Sequence, residues 1–400
     1  MLLPTAAIAV GNIIFEVISM KKKLLIALSY VAVAAAAVAL TLVFTAKPAH
    51  YTKLEELADL LAERFVDGVD RKKMEDAAAD AMVNALGDRW SYYIPADEYG
   101  AYVEQKNNAY VGIGVTIKAH ELGYHIEQVA EGGPAETAGI LAGDVIVAVD
   151  GTRIAGMDMD EGKKLVQGKS GTTVEITVSR GGEEQTFTVK RGTVKTKVAT
   201  AVMLPGNIGL VAIKNFNTNC AKETIAAIES LLEQGATSLI FDVRFNGGGY
   251  ANEMNKVLDY LLPEGQLFKT VDYTGKESVT KSDAKCLEMP MTVLVNESSY
   301  SAAEFFAAAL REYEWATVVG VQTSGKGYFQ VVYELSDGSA VGVSIGKYVT
   351  PKGVSLEGVG ITPDIPVEVT TEQAAGIYAG TLDPMEDPQI LAAIAALKGE

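Results

Sequence analysis

Cysteine and histidine are scarce in this chain of 400 residues, and their scarcity excludes several chemistries. The two cysteines, Cys220 and Cys286, stand far apart, outside any spacing that would hold a structural zinc, which needs four soft or imidazole ligands. A disulfide between them is an alternative outside the cell, but two lone cysteines usually stay free. The three histidines are His50, His120 and His125, and none lies near the serine cluster described below, which counts against a Ser-His pair. Positive charge is also in deficit: 34 basic residues face 51 acidic ones, a net charge of -17. A surface this acidic repels phosphate backbones and argues against nucleic-acid binding. Hydrophobic residues make up 48% and charged residues 21%, a globular balance that excludes both disorder and a multi-span membrane protein.

Long uncharged runs are equally rare. One covers residues 24–46, directly after Lys21, Lys22 and Lys23. Some twenty apolar residues at about 1.5 Å each match the roughly 30 Å hydrocarbon core, and the preceding lysines favour that end staying in the cytoplasm. A cleaved signal peptide is the competing reading. Phe44 and Lys47 spoil the two best small-x-small cleavage sites, so an uncleaved anchor with the rest of the chain outside the cytoplasm is expected. Residues 1–18 form a second apolar stretch broken by Pro4, Gly11 and Glu16. Met20 followed by three lysines reads as the more natural start, with 1–19 an upstream extension.

Beyond the anchor the hydrophobic period changes twice. Leu54, Leu57, Leu60, Leu61 and Phe65 recur at helical spacing within a helical region expected over 51–98. From residue 109 the period falls to two: Val111, Ile113, Val115 and Ile117 alternate, and Gly-rich turns follow at 132–133 and 143. A compact module over 99–192 is expected. From 206 onward strands (208–213, 238–243, 291–295, 318–321, 330–334) alternate with helices (221–234, 251–262, 302–313), the pattern of an α/β core over 193–370. A helical segment is expected over 371–400.

Two segments carry chemistry. Ser298, Ser299, Tyr300 and Ser301 stand between an apolar strand and the helix that starts at Ala302. A nucleophile there is aimed by a rigid strand and faces the positive end of a helix. Ser301 with Glu304 also fits a Ser-x-x-Glu capping box, and from this segment alone the cap is the better reading. Twenty-five residues on, Gly325-Lys326-Gly327 sets one lysine between two glycines. A lysine serves as base only when neutral, so its pKa must fall from about 10.4 toward 7, a shift that burial can supply. Gln330 lies four residues further, on the same face if the segment is a strand, where its amide could hold the amine.

The loop Tyr110-Val111-Gly112-Ile113-Gly114-Val115, followed by Pro134-Ala135-Glu136-Thr137-Ala138-Gly139-Ile140 and Gly143-Asp144-Val145-Ile146, resembles a PDZ domain. The resemblance implies that Val111, Gly112, Ile113, Gly114 and Val115 receive a peptide carboxylate on converging backbone N–H groups. Ser299-Tyr300-Ser301-Ala302-Ala303-Glu304, Gly325-Lys326-Gly327 with Gln330, and Asp242-Val243-Arg244-Phe245-Asn246-Gly247-Gly248-Gly249 together resemble the carboxyl-terminal processing peptidases, or tail-specific proteases. Gly247 stands where that family has proline. The resemblance runs from about residue 54 to 387. It implies a crotonase/ClpP-like α/β protease core beside the PDZ domain, Ser301 as nucleophile, Lys326 as general base and Gln330 as its support. It further implies an oxyanion hole made by the backbone of Gly248 and Ala302, and no metal or nucleotide cofactor. The substrate would be a protein bound through its C-terminus. The alternative is a membrane-anchored PDZ scaffold without activity.

Overall fold

The computed structural model describes residues 20–25, 28–38 and 52–399. The chain divides into two units, 1–78 and 79–400. In the first, residues 20–25 and 28–38 are helical, and the helix Thr52–Arg64 follows. Leu54, Leu57, Leu60 and Leu61 keep helical spacing but are exposed. Among the described residues no helix is long and apolar enough to cross a membrane. The expected 24–46 segment lies only partly within them, and 1–19 lies outside.

The second unit carries the expected compact module and the α/β core. The module's sheet runs in the order Val115–His120, Gly123–Val129, Val145–Val149, Thr173–Arg180, Glu183–Lys190, all antiparallel. Ile126, Ile140, Ile146, Ile154, Ile176 and Val178 fill it. Strand Val115–His120 is its edge, a row of backbone groups open to a further strand. Ala109–Gly112 pairs with Gly192–Lys195, closing the module where the chain enters and leaves. Just before it stands the helix Ala96–Lys106, which the periodicity analysis missed.

The core sheet has the order Ala199–Leu204, Ile208–Ile213, Ser238–Asp242, Met291–Val295, Ala316–Gly320, Ile365–Pro366; the first pair is antiparallel and the others parallel. Its central strands are continuous apolar runs because both faces are covered. Leu239, Phe241, Val293 and Val295 face one core with the helices Cys220–Glu233, Ala251–Leu261 and Ala302–Glu312. Ile240 and Leu294, one residue out of phase, face Ile390, Ala393 and Ile394 of the C-terminal helix Pro388–Lys398. A second antiparallel sheet joins Tyr92–Ile94, Ala340–Val349, Gly265–Asp272 and Glu277–Ser282, with Tyr328–Glu334 on Ala340–Val349. Cys220 is buried, Cys286 is exposed, and both are free, as expected.

Candidate active site

The serine cluster sorts itself by burial. Ser299 is fully buried. Its hydroxyl donates to the Val243 carbonyl (2.7 Å) and accepts from the Asn296 N–H (3.0 Å), so it staples the turn to the neighbouring strand end. Ser301 is only half-buried and sits immediately before the helix Ala302–Glu312 with φ 59° and ψ -125°. That left-handed backbone is strained for a residue with a β-carbon and persists only where its surroundings over-determine it. Here they do. The Tyr300 N–H donates to the Asn246 carbonyl at 3.1 Å, and the Ser301 N–H donates to Glu304 Oε2 at 2.9 Å. Gly248, at φ +84°, packs so closely that a Cβ on it would lie 2.8 Å from the Ser301 Cβ.

Ser301 and Glu304 therefore pair in the capping-box positions, although the hydroxyl makes no capping hydrogen bond. Glu304 does more than cap. Its carboxylate, wholly buried, also accepts from Thr323 Oγ1 (2.5 Å) and from the N–H groups of Gly325 and Lys326 (2.8 Å each). One carboxylate thus ties the main chain of the serine to the main chain of the lysine. The loop is gripped from its other side by Arg89 and by Glu357, which Trp90 holds. Arg89 donates to the Ser324 and Gly325 carbonyls (3.0 and 3.1 Å). Glu357 accepts from Trp90 Nε1 (3.0 Å) and from the Gly327 N–H (2.7 Å).

This grip sets the environment of the lysine. Lys326 Nζ lies 4.9 Å from the centre of the Trp90 ring and 5.8 Å from that of Tyr300, and the two rings stack at 6.0 Å. Burial lowers its pKa from 10.5 to about 8; Lys106 adds to the fall, and Asp88, Glu357 and Glu304 oppose it. A cation held against aromatic faces and away from water loses more hydration than the rings return. No hydrogen bond joins Nζ to Ser301 or to Gln330 among the described residues.

Gln330 departs from expectation. Its Nε2 donates to Ser344 Oγ (2.9 Å) and to the Tyr328 carbonyl (3.3 Å). The same-face argument required one continuous strand, but the strand is Tyr328–Glu334 and Lys326 precedes it. The glycine loop departs as well. The Gly248 N–H donates to Asn246 Oδ1 at 2.8 Å, so it is already engaged. Phe216 bridges Gly249 through the flanking groups, leaving the Gly249 N–H outside the bridge. The Ala302 N–H, at the first turn of its helix, meets no acceptor among the described residues.

These groups share one cleft of about 1870 Å³. Ser301, Lys326, Gln330, Gly248 and Gly249 line it, and so do Val111, Gly112, Ile113, Gly114 and Val115 of the Gly-rich loop. The Val111 N–H there donates to Glu104 Oε2 at 3.0 Å. The sequence reading missed Trp90 and Glu357, and it saw Glu304 only as a cap. Nothing in linear spacing shows that these three residues meet around the lysine loop.

Residues 207–367 match the family described as Peptidase family S41, and residues 111–190 match the PDZ domain. A protein of Staphylococcus haemolyticus described as a probable CtpA-like serine protease is 34% identical over 329 residues, covering 81% of this chain and 66% of its own. A probable CtpA-like serine protease of Staphylococcus epidermidis is 31% identical over 333 residues, covering 82% of this chain and 68% of its own. The chain thus spans about two thirds of the length of these relatives. A solved structure assigned to the S41 proteases, from Bacteroides fragilis, superposes with a TM-score of 0.50 at 15% identity, covering 80% of this chain and 90% of that one, a likeness of fold.

Proposed function

Because the chain belongs to peptidase family S41, among the CtpA-like serine proteases, we propose that it is a serine endopeptidase acting through Ser301 and Lys326 on proteins presented by their C-termini. The observation that carries this reading is the Glu304 carboxylate, which bonds the backbone of Ser301 and of Lys326 at once and so builds a nucleophile and a base into one rigid frame. In the proposed cycle neutral Lys326 takes the Ser301 proton as the hydroxyl oxygen attacks the scissile carbonyl. The Ala302 N–H receives the oxyanion together with a glycine N–H, from Gly249 or from Gly248 once Asn246 lets go. Each such donor stabilises the oxyanion by about 3 kcal/mol. The lysine then gives its proton to the leaving amine, and water releases the acyl group.

Lys326 Nζ lies over the two rings without a hydrogen bond to Ser301, so the proposed cycle requires the amine to turn toward the hydroxyl. Gln330 would steady the amine only after leaving Ser344. The PDZ loop lies on the same cleft, which supports its taking the substrate's terminal carboxylate on the backbone of 111–115 and its apolar last side chain beside Val115. A bound tail there can influence when the lysine turns. The uncharged run 24–46 after three lysines supports a single anchor with the protease outside the cytoplasm. A scaffold without activity would have no use for a strained Ser301 backbone beside a lysine of lowered pKa.

Ser301→Ala and Lys326→Ala, assayed on a protein with an unfolded apolar tail, are expected to lose cleavage. Amidating the tail's carboxylate is expected to slow the unaltered protein. Undiminished cleavage by either variant would refute the assignment.

A further inference from the structure

The cleft is basic in a chain that is acidic. Over the whole sequence 34 basic residues face 51 acidic ones. Among the described residues, the charged side chains that line the cleft are Lys106, Lys163, Lys169, Lys214 and Lys326 against Glu104 alone, and Glu104 already accepts from the Val111 N–H. Lys163 is paired with Asp160 at 3.2 Å, whereas Lys106, Lys169 and Lys214 meet no carboxylate among the described residues. Lys106 is fixed beside the active serine. It ends the helix Ala96–Lys106, where its carbonyl accepts from the Thr218 N–H (3.2 Å) and the Gln105 carbonyl accepts from Asn217 Nδ2 (3.3 Å). That segment continues from Phe216, whose N–H donates to the carbonyl of Gly248, the glycine that abuts Ser301. The half-buried Lys106 amine lies 5.5 Å from the centre of the Tyr102 ring, and its charge is felt at Lys326.

A cation drawn partly out of water without a counter-charge is costly, and burial lowers the Lys106 pKa accordingly. A carboxylate brought by a ligand would offset that cost. Keeping Lys326 neutral gives Lys106 one role, but Lys163, Lys169 and Lys214 are not among the causes of that shift and need another. Like charges gathered in a cleft focus a positive potential there and draw in anions. This cleft reaches from the loop 111–115 to Ser301, so the anion that fits it is carried on an extended chain, and a polypeptide carries anions on Asp, Glu and its C-terminus. We infer that the cleft selects polypeptides with acidic side chains ahead of an apolar tail, and that Lys106 is a specificity-determining residue that pairs with the carboxylate of an Asp or Glu near the scissile bond. The other lysines add attraction along the cleft. The inference rests on the proposed peptidase reading and names the substrate class for it.

The test uses the full-length protein and one cleavable peptide with an apolar tail and Gln at the positions flanking the scissile bond. In its copies each Gln is replaced in turn by Glu, which keeps the shape and adds the charge, or by Lys. At about 0.05 M salt the unaltered protein is expected to cut at least one Glu peptide about fivefold better in kcat/KM than the Gln parent, the worth of one half-buried ion pair, and the gain should shrink at about 0.5 M salt. Lys106→Gln should bring that ratio below about twofold, and Lys106→Glu should make the Lys peptide the better substrate at the same position. Each ratio is taken within one protein at one pH, so the effect of the variant on Lys326 cancels. Lys106→Arg, which keeps the charge, should keep the preference and separates loss of charge from loss of fold. A Glu-to-Gln ratio near one at every position, or one that Lys106→Gln leaves unchanged, would overturn the inference while leaving the peptidase intact. Failure of the unaltered protein to cut any of the peptides would overturn both.

Discussion

The pH dependence of cleavage follows directly from the place of Lys326. With its pKa at about 8 rather than 10.5, the amine is charged at neutral pH and loses its proton just above it. About a tenth of the molecules carry the neutral base at pH 7 and about nine-tenths at pH 9, against about 0.03% at pH 7 for an unperturbed lysine. The lowered pKa therefore raises the neutral fraction of Lys326 at pH 7 by roughly 300-fold. The expected profile of kcat/KM is a single rising limb of unit slope that levels off near pH 8, with about a tenfold gain between pH 7 and pH 9. The assay is initial-rate cleavage of a fluorogenic tailed peptide from pH 6 to 10 at constant ionic strength. Lys106→Gln is the matched perturbation. The Lys106 charge is the second cause of the lowered pKa, so removing it lets Lys326 hold its proton longer and moves the limb to higher pH. A flat profile between pH 7 and 9, or a limb that Lys106→Gln moves to lower pH, would show that Lys326 is not the base. A limb near pH 6.5 would point instead to an imidazole.

Two further outcomes concern stability and the frame. Because the folded state depresses the pKa of Lys326, the unfolded chain binds the extra proton between about pH 8 and 10.5, so stability rises with pH across that window. The penalty is present in full below pH 8, where it amounts to at most roughly 3 kcal/mol for a shift of this size. Lys326→Met is thus expected to be inactive yet more stable than the unaltered protein at pH 7, with the difference fading toward pH 10.5; urea melts at pH 7, 9 and 10 measure it, and a less stable variant at pH 7 would contradict the reading. Glu304→Gln tests the frame, since each carboxylate oxygen accepts two donors and the amide nitrogen must face one of those pairs. Two charge-assisted bonds at roughly 1.5 kcal/mol or more each are lost, so a fall of about 100-fold in kcat and about 3 kcal/mol in stability is expected; a kcat within about twofold of the original would remove Glu304 from the site.

What the sequence could reveal depended on how local each cause was. The central strands were legible because burial on both faces leaves unbroken apolar runs, and Met291–Val295 falls where periodicity places it. The strand Ala340–Val349 escaped, because its glycines and half-buried alternation carry little hydrophobic signal. Gln330 was misplaced for a related reason: the side-chain period of two holds only inside a strand, and this one begins two residues after Lys326. Trp90 lies 236 positions before Lys326, and no spacing rule spans that distance. The engaged Gly248 N–H reflects one side-chain rotamer of Asn246, which composition cannot encode.

The ambiguity at Ser301 has a different origin. A helix start prefers an acceptor three residues in, where a carboxylate reaches back to the cap N–H. A nucleophile at a helix start needs that same N–H held, so that the strained turn keeps the hydroxyl out of the cap and aimed at the cleft. Glu304 meets both demands with one oxygen, Oε2, and that oxygen also takes the Lys326 N–H. In the proposed reading, cap and nucleophile are one arrangement seen from two sides. The lysine loop is what favours the proposed reading, because a cap alone needs Glu304 only at Ser301, whereas the same carboxylate also holds the N–H groups of Gly325 and Lys326.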